Sequence, residues 1–133
     1  MKYEILYQDA FPLVRCDLEQ GESIKAESDA MVAMSPTLDV EGKMEGGILS
    51  GLARSFLAGE KFFFQELTAK RGPGYVLFAH ALPGGIVDVD LDGSYNLRVQ
   101  KDGFLAATQG IKVDTKMQNL SKGLFSDEGF FIV

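Results

Sequence analysis

One cysteine and one histidine are all that 133 residues hold of the two residue types most used for transition metals and covalent catalysis. A lone Cys16 excludes an internal disulfide, and together with His80 it falls short of the ligand set of an ordinary zinc site. In "LVRCDLE" Cys16 shares the Val14/Leu18 face of an alternating stretch, which reads as a buried, inert thiol. Long apolar runs are also missing: no stretch approaches the ~18 residues that a membrane-spanning helix needs. The start, "MKYEILYQDA", lacks the apolar core of a secretory signal, and Glu4 and Asp9 speak against a mitochondrial transit peptide. These absences predict a protein of a reducing cytoplasm. Positive charge is scarce as well, with 13 Lys/Arg against 19 Asp/Glu and a net charge of −6. The acid excess lies in residues 1–66, which hold 6 basic and 12 acidic residues, whereas residues 67–133 hold 7 of each. Lys70-Arg71 is the only adjacent basic pair. A nucleic-acid binder normally shows a basic stripe, so no nucleic-acid partner is expected.

What is present is a chain with 46% hydrophobic and 24% charged residues, the balance of one globular domain spanning 1–133. Its 15 glycines exceed the usual ~7%, which suggests many tight turns between short strands. Period-two alternation supports this. "YEILY", "LVRCDL", "SIKAE", "MVAMS", "LDVEGKM", "KFFFQELTA", "GYVLFAHAL", "GIVDVDL", "YNLRVQ", "GFLAAT", "IKVDTKM" and "GFFIV" all read as strands. Turns are expected at Glu19–Gly21 and Gly72-Pro73-Gly74, and hairpins at Asp92-Gly93 and Asp102-Gly103. The spacing points to an all-β sandwich, barrel or β-helix. One stretch has helical spacing instead: Ile48, Leu49, Leu52, Ala53, Phe56 and Leu57 fall on one face, with Gly59 in the place of a C-terminal stop. A short helix near 48–57 follows.

The chain also resembles itself. Ser23–Met44 aligns with Asn96–Met117 without gaps at an offset of 73 (96 − 23). Ile24 meets Leu97, Ala33 meets Ala106, Leu38 meets Ile111, and Lys43-Met44 meet Lys116-Met117. Shortening the next loop by five residues brings Phe62-Phe63 onto Phe130-Phe131. Two similar units, about 21–92 and 94–133 with the second incomplete, are expected.

Three places imitate catalytic or binding motifs. "GGILSGLA" has the glycine spacing of a phosphate loop, but Leu52-Ala53 stand where Lys and Ser/Thr must reach phosphate and magnesium. "DVDLDG" at Asp88–Gly93 copies the first half of a calcium loop, but Val99 stands where the bidentate glutamate belongs. Since Val87, Val89 and Leu91 alternate with Asp88, Asp90 and Asp92, a strand with an acidic outer face explains the same letters, with a weak cation site as the alternative. His80 has no orienting acid or nucleophile in a recognisable local pattern and reads as a strand-end residue. The amphipathic 46–59 stretch carries Arg54 alone, too little positive charge for a membrane-surface helix. No cofactor is called for.

The blocks "GGILSGLARSFLAGEKFFFQEL", "GPGYVLFA" and "FLAATQGIKVDTKMQNLSKGLFSDEGFF" resemble the altered-inheritance-of-mitochondria family over roughly Leu18 to Val133. Members show a glycine-led "LxRS…GE.FF" block, a "GpG.V.LA" strand, "FLA" after a hairpin and a second "GLFSGEGFF" block. The resemblance implies a TRAP-like double-stranded β-helix of two similar halves. It implies no enzymatic activity and supplies no catalytic residue. Asp127 departs from the glycine usual in members, and members commonly continue beyond the second Phe-Phe with a further strand.

These readings converge on a non-enzymatic, self-associating β module that serves as a scaffold or protein-interaction surface. A small-molecule or lipid-binding protein, using an apolar interior lined by residues such as Phe62, Phe64, Phe78 and Phe104, is the alternative. RNA binding by analogy with the tryptophan RNA-binding attenuation protein is weaker. The last strand, Gly129–Val133, is expected to lack its hairpin partner and so to expose an apolar edge. On that ground Phe130, Phe131, Ile132 and Val133 are the expected interface of a homo-oligomer.

Overall fold

The computed structural model describes residues 1–43, 64–100, 103–116 and 130–132. The expected 48–57 helix, Asp102, Phe62 and Val133 lie outside these residues. Eleven strands are present: β1 (Lys2–Leu6), β2 (Leu13–Leu18), β3 (Ser23–Glu27), β4 (Met31–Met34), β5 (Asp39–Lys43), β6 (Phe64–Thr68), β7 (Gly74–Phe78), β8 (Arg98–Gln100), β9 (Ala106–Thr108), β10 (Asp114–Lys116) and β11 (Phe130–Ile132). The fold is all-β, with no helix among the described residues. Three antiparallel sheets have the orders β1-β2-β7-β4, β5-β6-β3-β9 and β10-β11-β8.

Alternation sets the core. Cys16 and Leu18 on β2, Ile24 and Ala26 on β3, Leu67 on β6 and Val76 and Phe78 on β7 are all buried in one cluster. Burying a side chain of this size contributes about 1.5–3 kcal/mol, which is what makes these short ladders stable. A second, smaller cluster joins Phe64, Phe104 and Val113, with the two rings edge-to-face at 5.8 Å.

The Gly-Pro-Gly turn has a steric cause. Gly72 sits at φ 142°, and the Pro73 carbonyl accepts a 3.0 Å bond from the Thr37 hydroxyl. A β-carbon at Gly74 would lie closer than 3.0 Å to Thr37, Leu38 and Ser35. The backbone of β7 therefore lies against the turn between β4 and β5 in a way only glycine allows. Arg71 fastens the same turn: its guanidinium donates to the Pro36 and Leu38 carbonyls and pairs with Asp39, while Lys70 pairs with Glu41.

The order β5-β6-β3 recurs as β10-β11-β8. Lys43 faces Phe64 as Lys116 faces Phe130, and Glu27 faces Phe64 as Gln100 faces Phe130. Both pairings set β5 and β3 at an offset of 73 (116 − 43 and 100 − 27) but β6 at 66 (130 − 64). Phe130 thus corresponds to Phe64. The alignment of Phe62 with Phe130 is two residues out of register, because the intervening loop is shorter by seven residues (73 − 66), not five. The turns correspond as well, since Leu38 N–H donates to the Ser35 carbonyl at 3.1 Å and Ile111 N–H to that of Thr108 at 3.2 Å.

Two expectations need correction. "GIVDVDL" forms no strand: residues 85–91 lie outside every ladder, and Val87 is 82% exposed. Pro83 and a positive φ at Gly84 break the chain out of β7, and side chains then tether it. The Asp92-Gly93 turn forms, with Asp92 accepting bonds from the Ser94 amide and hydroxyl, but it joins no pair of strands. The second correction concerns the last strand. β11 is central in its sheet, hydrogen-bonded to β10 and β8, so Phe130–Ile132 present no free backbone edge. The reason is visible in the first half, where β6 is paired by β5 and β3 while the following β7 crosses to another sheet. The hairpin partner was never on that edge.

Candidate functional site

The described residues enclose a cleft of about 690 Å³ between β1–β2, the 79–91 segment and β9. Tyr3 and Ile5 project from β1, Val14 from β2, and Phe104 to Thr108 form the far wall. The roof is the 85–91 segment, which joins no ladder and is held by side chains. Gln8 donates to the Ile86 carbonyl and accepts a 3.2 Å bond from its amide, and the Tyr3 hydroxyl donates to Asp88 at 2.9 Å. The Asp88 carboxylate, by that bond and by its charge, pushes the Tyr3 phenol above its ordinary value. Phe11, Leu82 and Val87, all exposed, border the opening.

The chemistry lining this space is sparse. Cys16 borders it but is 2% exposed, and burial, aided by the Asp17 charge, pushes its thiol up to about 12. A thiol so raised is no nucleophile at neutral pH. His80 lies two residues beyond the end of β7; its Nδ1 accepts the Leu82 amide at 3.0 Å, which leaves the proton on Nε2. That nitrogen is 3.5 Å from Glu27 Oε2, with no hydrogen bond of good geometry. Two acids of the calcium-like stretch have partners of their own, Asp88 accepting from the Tyr3 hydroxyl and Asp92 from Ser94, while the Asp90 backbone carbonyl accepts from Tyr95. Among the described residues no group of three His, Cys, Asp or Glu side chains is placed to hold a metal.

Of the four phenylalanines expected to line an apolar interior, Phe104 borders the cleft, whereas Phe64 and Phe78 fill the two cores. The cleft reaches both cores, bordering Cys16 and Ile24 of the larger and Phe104 of the smaller. Tyr3, Gln8 and the 85–91 roof escaped sequence reasoning because their contacts span about eighty residues, and no local pattern encodes them. Lys70-Arg71, the single basic pair, is spent on Asp39, Glu41 and backbone carbonyls.

Comparison with known proteins agrees with the all-β architecture. An uncharacterised protein of Streptococcus pyogenes serotype M6 is 30% identical over 139 residues, covering 100% of this chain and 55% of its own length. A crystal structure of a Streptococcus pyogenes protein superposes with a TM-score of 0.76 at 27% identity, covering 98% of this chain and 58% of that one. The chain therefore spans little more than half the length of these relatives. Among the described residues no helix is long and apolar enough to cross a membrane. The sequence profile of the mitochondrial biogenesis AIM24 family matches residues 3–133, and the chain belongs to that family.

Proposed function

We propose that the protein is a non-enzymatic β module of the cytoplasm that works as an interaction surface and associates with itself. The observation that carries this reading is the cleft, apolar along most of its wall and bordered by exposed Phe11, Leu82 and Val87. Contiguous apolar surface of this kind is usually covered in a working protein. The lining supports binding better than catalysis, since its one thiol is held protonated and the Asp88 carboxylate is engaged by Tyr3. Close packing of a sheet face is then the way in which Phe130–Val133 would take part. A second reading, binding of a small apolar molecule or lipid, is favoured by the cleft volume of about 690 Å³, which falls in the range of small-molecule sites. RNA binding ranks below both, because the one basic pair is engaged within the chain. Sedimentation across a concentration series, combined with native mass spectrometry, tests the reading. Concentration-dependent association without a retained ligand supports it. A monomer at every concentration overturns it, and a monomer carrying one bound apolar molecule establishes the second reading.

A further inference from the structure

His80 stands where the chain leaves β7. Just before it the Ala79 amide donates to the Ala30 carbonyl at 2.9 Å, and just after it Pro83 and Gly84, the latter at φ 146°, carry the chain away. Between these points the Leu82 amide donates to His80 Nδ1 at 3.0 Å. A side chain that accepts from the amide two residues on closes the kind of turn that asparagine and aspartate usually make. Here the acceptor is a ring nitrogen, which accepts only while it carries no proton.

The other ring nitrogen has the opposite need. Nε2 carries the proton of the neutral ring, yet it is buried and has no hydrogen-bond partner. Glu27 Oε2, at the end of β3, lies 3.5 Å from it. The other titratable groups that border the cleft with His80 are Tyr3 and Asp88, bonded to each other, the buried Cys16, Asp90, and the Met1 ammonium, which pairs with Glu22. Each ring nitrogen is therefore served in one protonation state only. In the neutral ring Nδ1 has its donor and Nε2 lacks an acceptor. In the charged ring both nitrogens are donors, so Nδ1–H opposes the Leu82 N–H while Nε2–H gains a carboxylate. Histidine is the side chain whose charge ordinarily changes between pH 5 and 8.

We propose that His80 is a pH-sensitive clasp at the root of the cleft roof. Proton uptake breaks the Leu82 bond, turns the ring toward Glu27 and frees the 80–84 turn. Leu82 is exposed and borders the opening, so the rim of the cleft loosens on acidification. The tether farther along, between Gln8 and Ile86, has no titratable member and stays in place. The inference concerns the rim and holds whatever occupies the cleft.

Backbone amide exchange of the whole, isotopically labelled protein tests it, read by NMR at pH 8 and pH 5 and expressed against the unstructured rate at each pH. Protection of the Leu82 amide is expected to fall about fivefold at the lower pH, the worth of one hydrogen bond near the surface. The Ile86 amide, held by Gln8 Oε1 at 3.2 Å, keeps its protection. His80→Asn supplies an acceptor that does not titrate and keeps Leu82 protected at both pH values. His80→Ala leaves it unprotected at both. Equal protection of Leu82 at the two pH values, a parallel loss at Leu82 and Ile86, or a pH response that survives in His80→Asn overturns the assignment. The comparison of the two amides needs no variant, so it decides the matter even if a substitution at this junction unfolds the chain. Self-association is read separately by sedimentation, so either result leaves the proposed function to its own test.

Discussion

Tyr3 and Asp88, 85 residues apart, are joined by a 2.9 Å hydrogen bond that holds the roof of the cleft against the first strand. Gln8 makes the neighbouring tether, as donor and acceptor to Ile86. A double variant, Tyr3→Phe with Gln8→Ala, removes these bonds without touching either core. Amide exchange at residues 86–90 is expected to speed up by an order of magnitude or so, with the melting temperature lowered only slightly, since local openings cost less than global unfolding. Unchanged exchange would show that the roof is held by something else.

Gly74→Ala places a methyl against Thr37, Leu38 and Ser35, whose side chains already fill the space. Overpacking of this kind costs about 1–3 kcal/mol. Chemical denaturation should show a lower midpoint at unchanged slope. Gly21→Ala, at a turn with φ 90° and open space around it, is expected to cost less, through backbone strain alone.

Arg71→Lys should behave almost like Arg71→Ala. The planar guanidinium reaches the Pro36 and Leu38 carbonyls and the Asp39 carboxylate together, which a lysine ammonium cannot do. Both variants are expected to lose a few degrees in melting temperature. Rescue by lysine would mean that only the charge matters.

Cys16 is held neutral, its thiol raised from 9.0 to about 12 chiefly by burial. It should resist alkylation in the native protein and react on denaturation. The sign of the linkage follows. The unfolded chain loses the thiol proton near pH 9 and the native one only near 12, so the contribution is intact below pH 9 and fades between 9 and 12. In that window the slope from this group is at most about 1.4 kcal/mol per pH unit. Cys16→Ala should flatten the alkaline limb of the stability curve.

Millimolar calcium is expected to leave the melting temperature unchanged, since Asp88 and Asp92 are bonded to Tyr3 and Ser94 in different directions. A rise of several degrees would report a cation site that stabilises the native chain.

Period-two alternation by itself determined β2 and β3 to the residue, and it placed most of the other strands within a few residues. Side chains on one face of a strand must share one environment, so that pattern is local and visible. The same pattern misled at Val87–Leu91, where Val87 and Val89 are largely exposed. Alternation shows that a segment can pair, and a neighbouring strand must still be available. Which edges meet was decided only in the tertiary structure. Nothing local says that β7 leaves β6 for the β2 sheet or that β11 is covered on both sides. The repeat could be read from Ile24, Ala33 and Lys43 and their counterparts, yet the register of Phe130 against Gln100 and Lys116 depended on hydrogen-bond pairing. Sequence spacing carries the alternation within a strand. The partner across a ladder is chosen by long-range packing, which brings together residues that no local window contains.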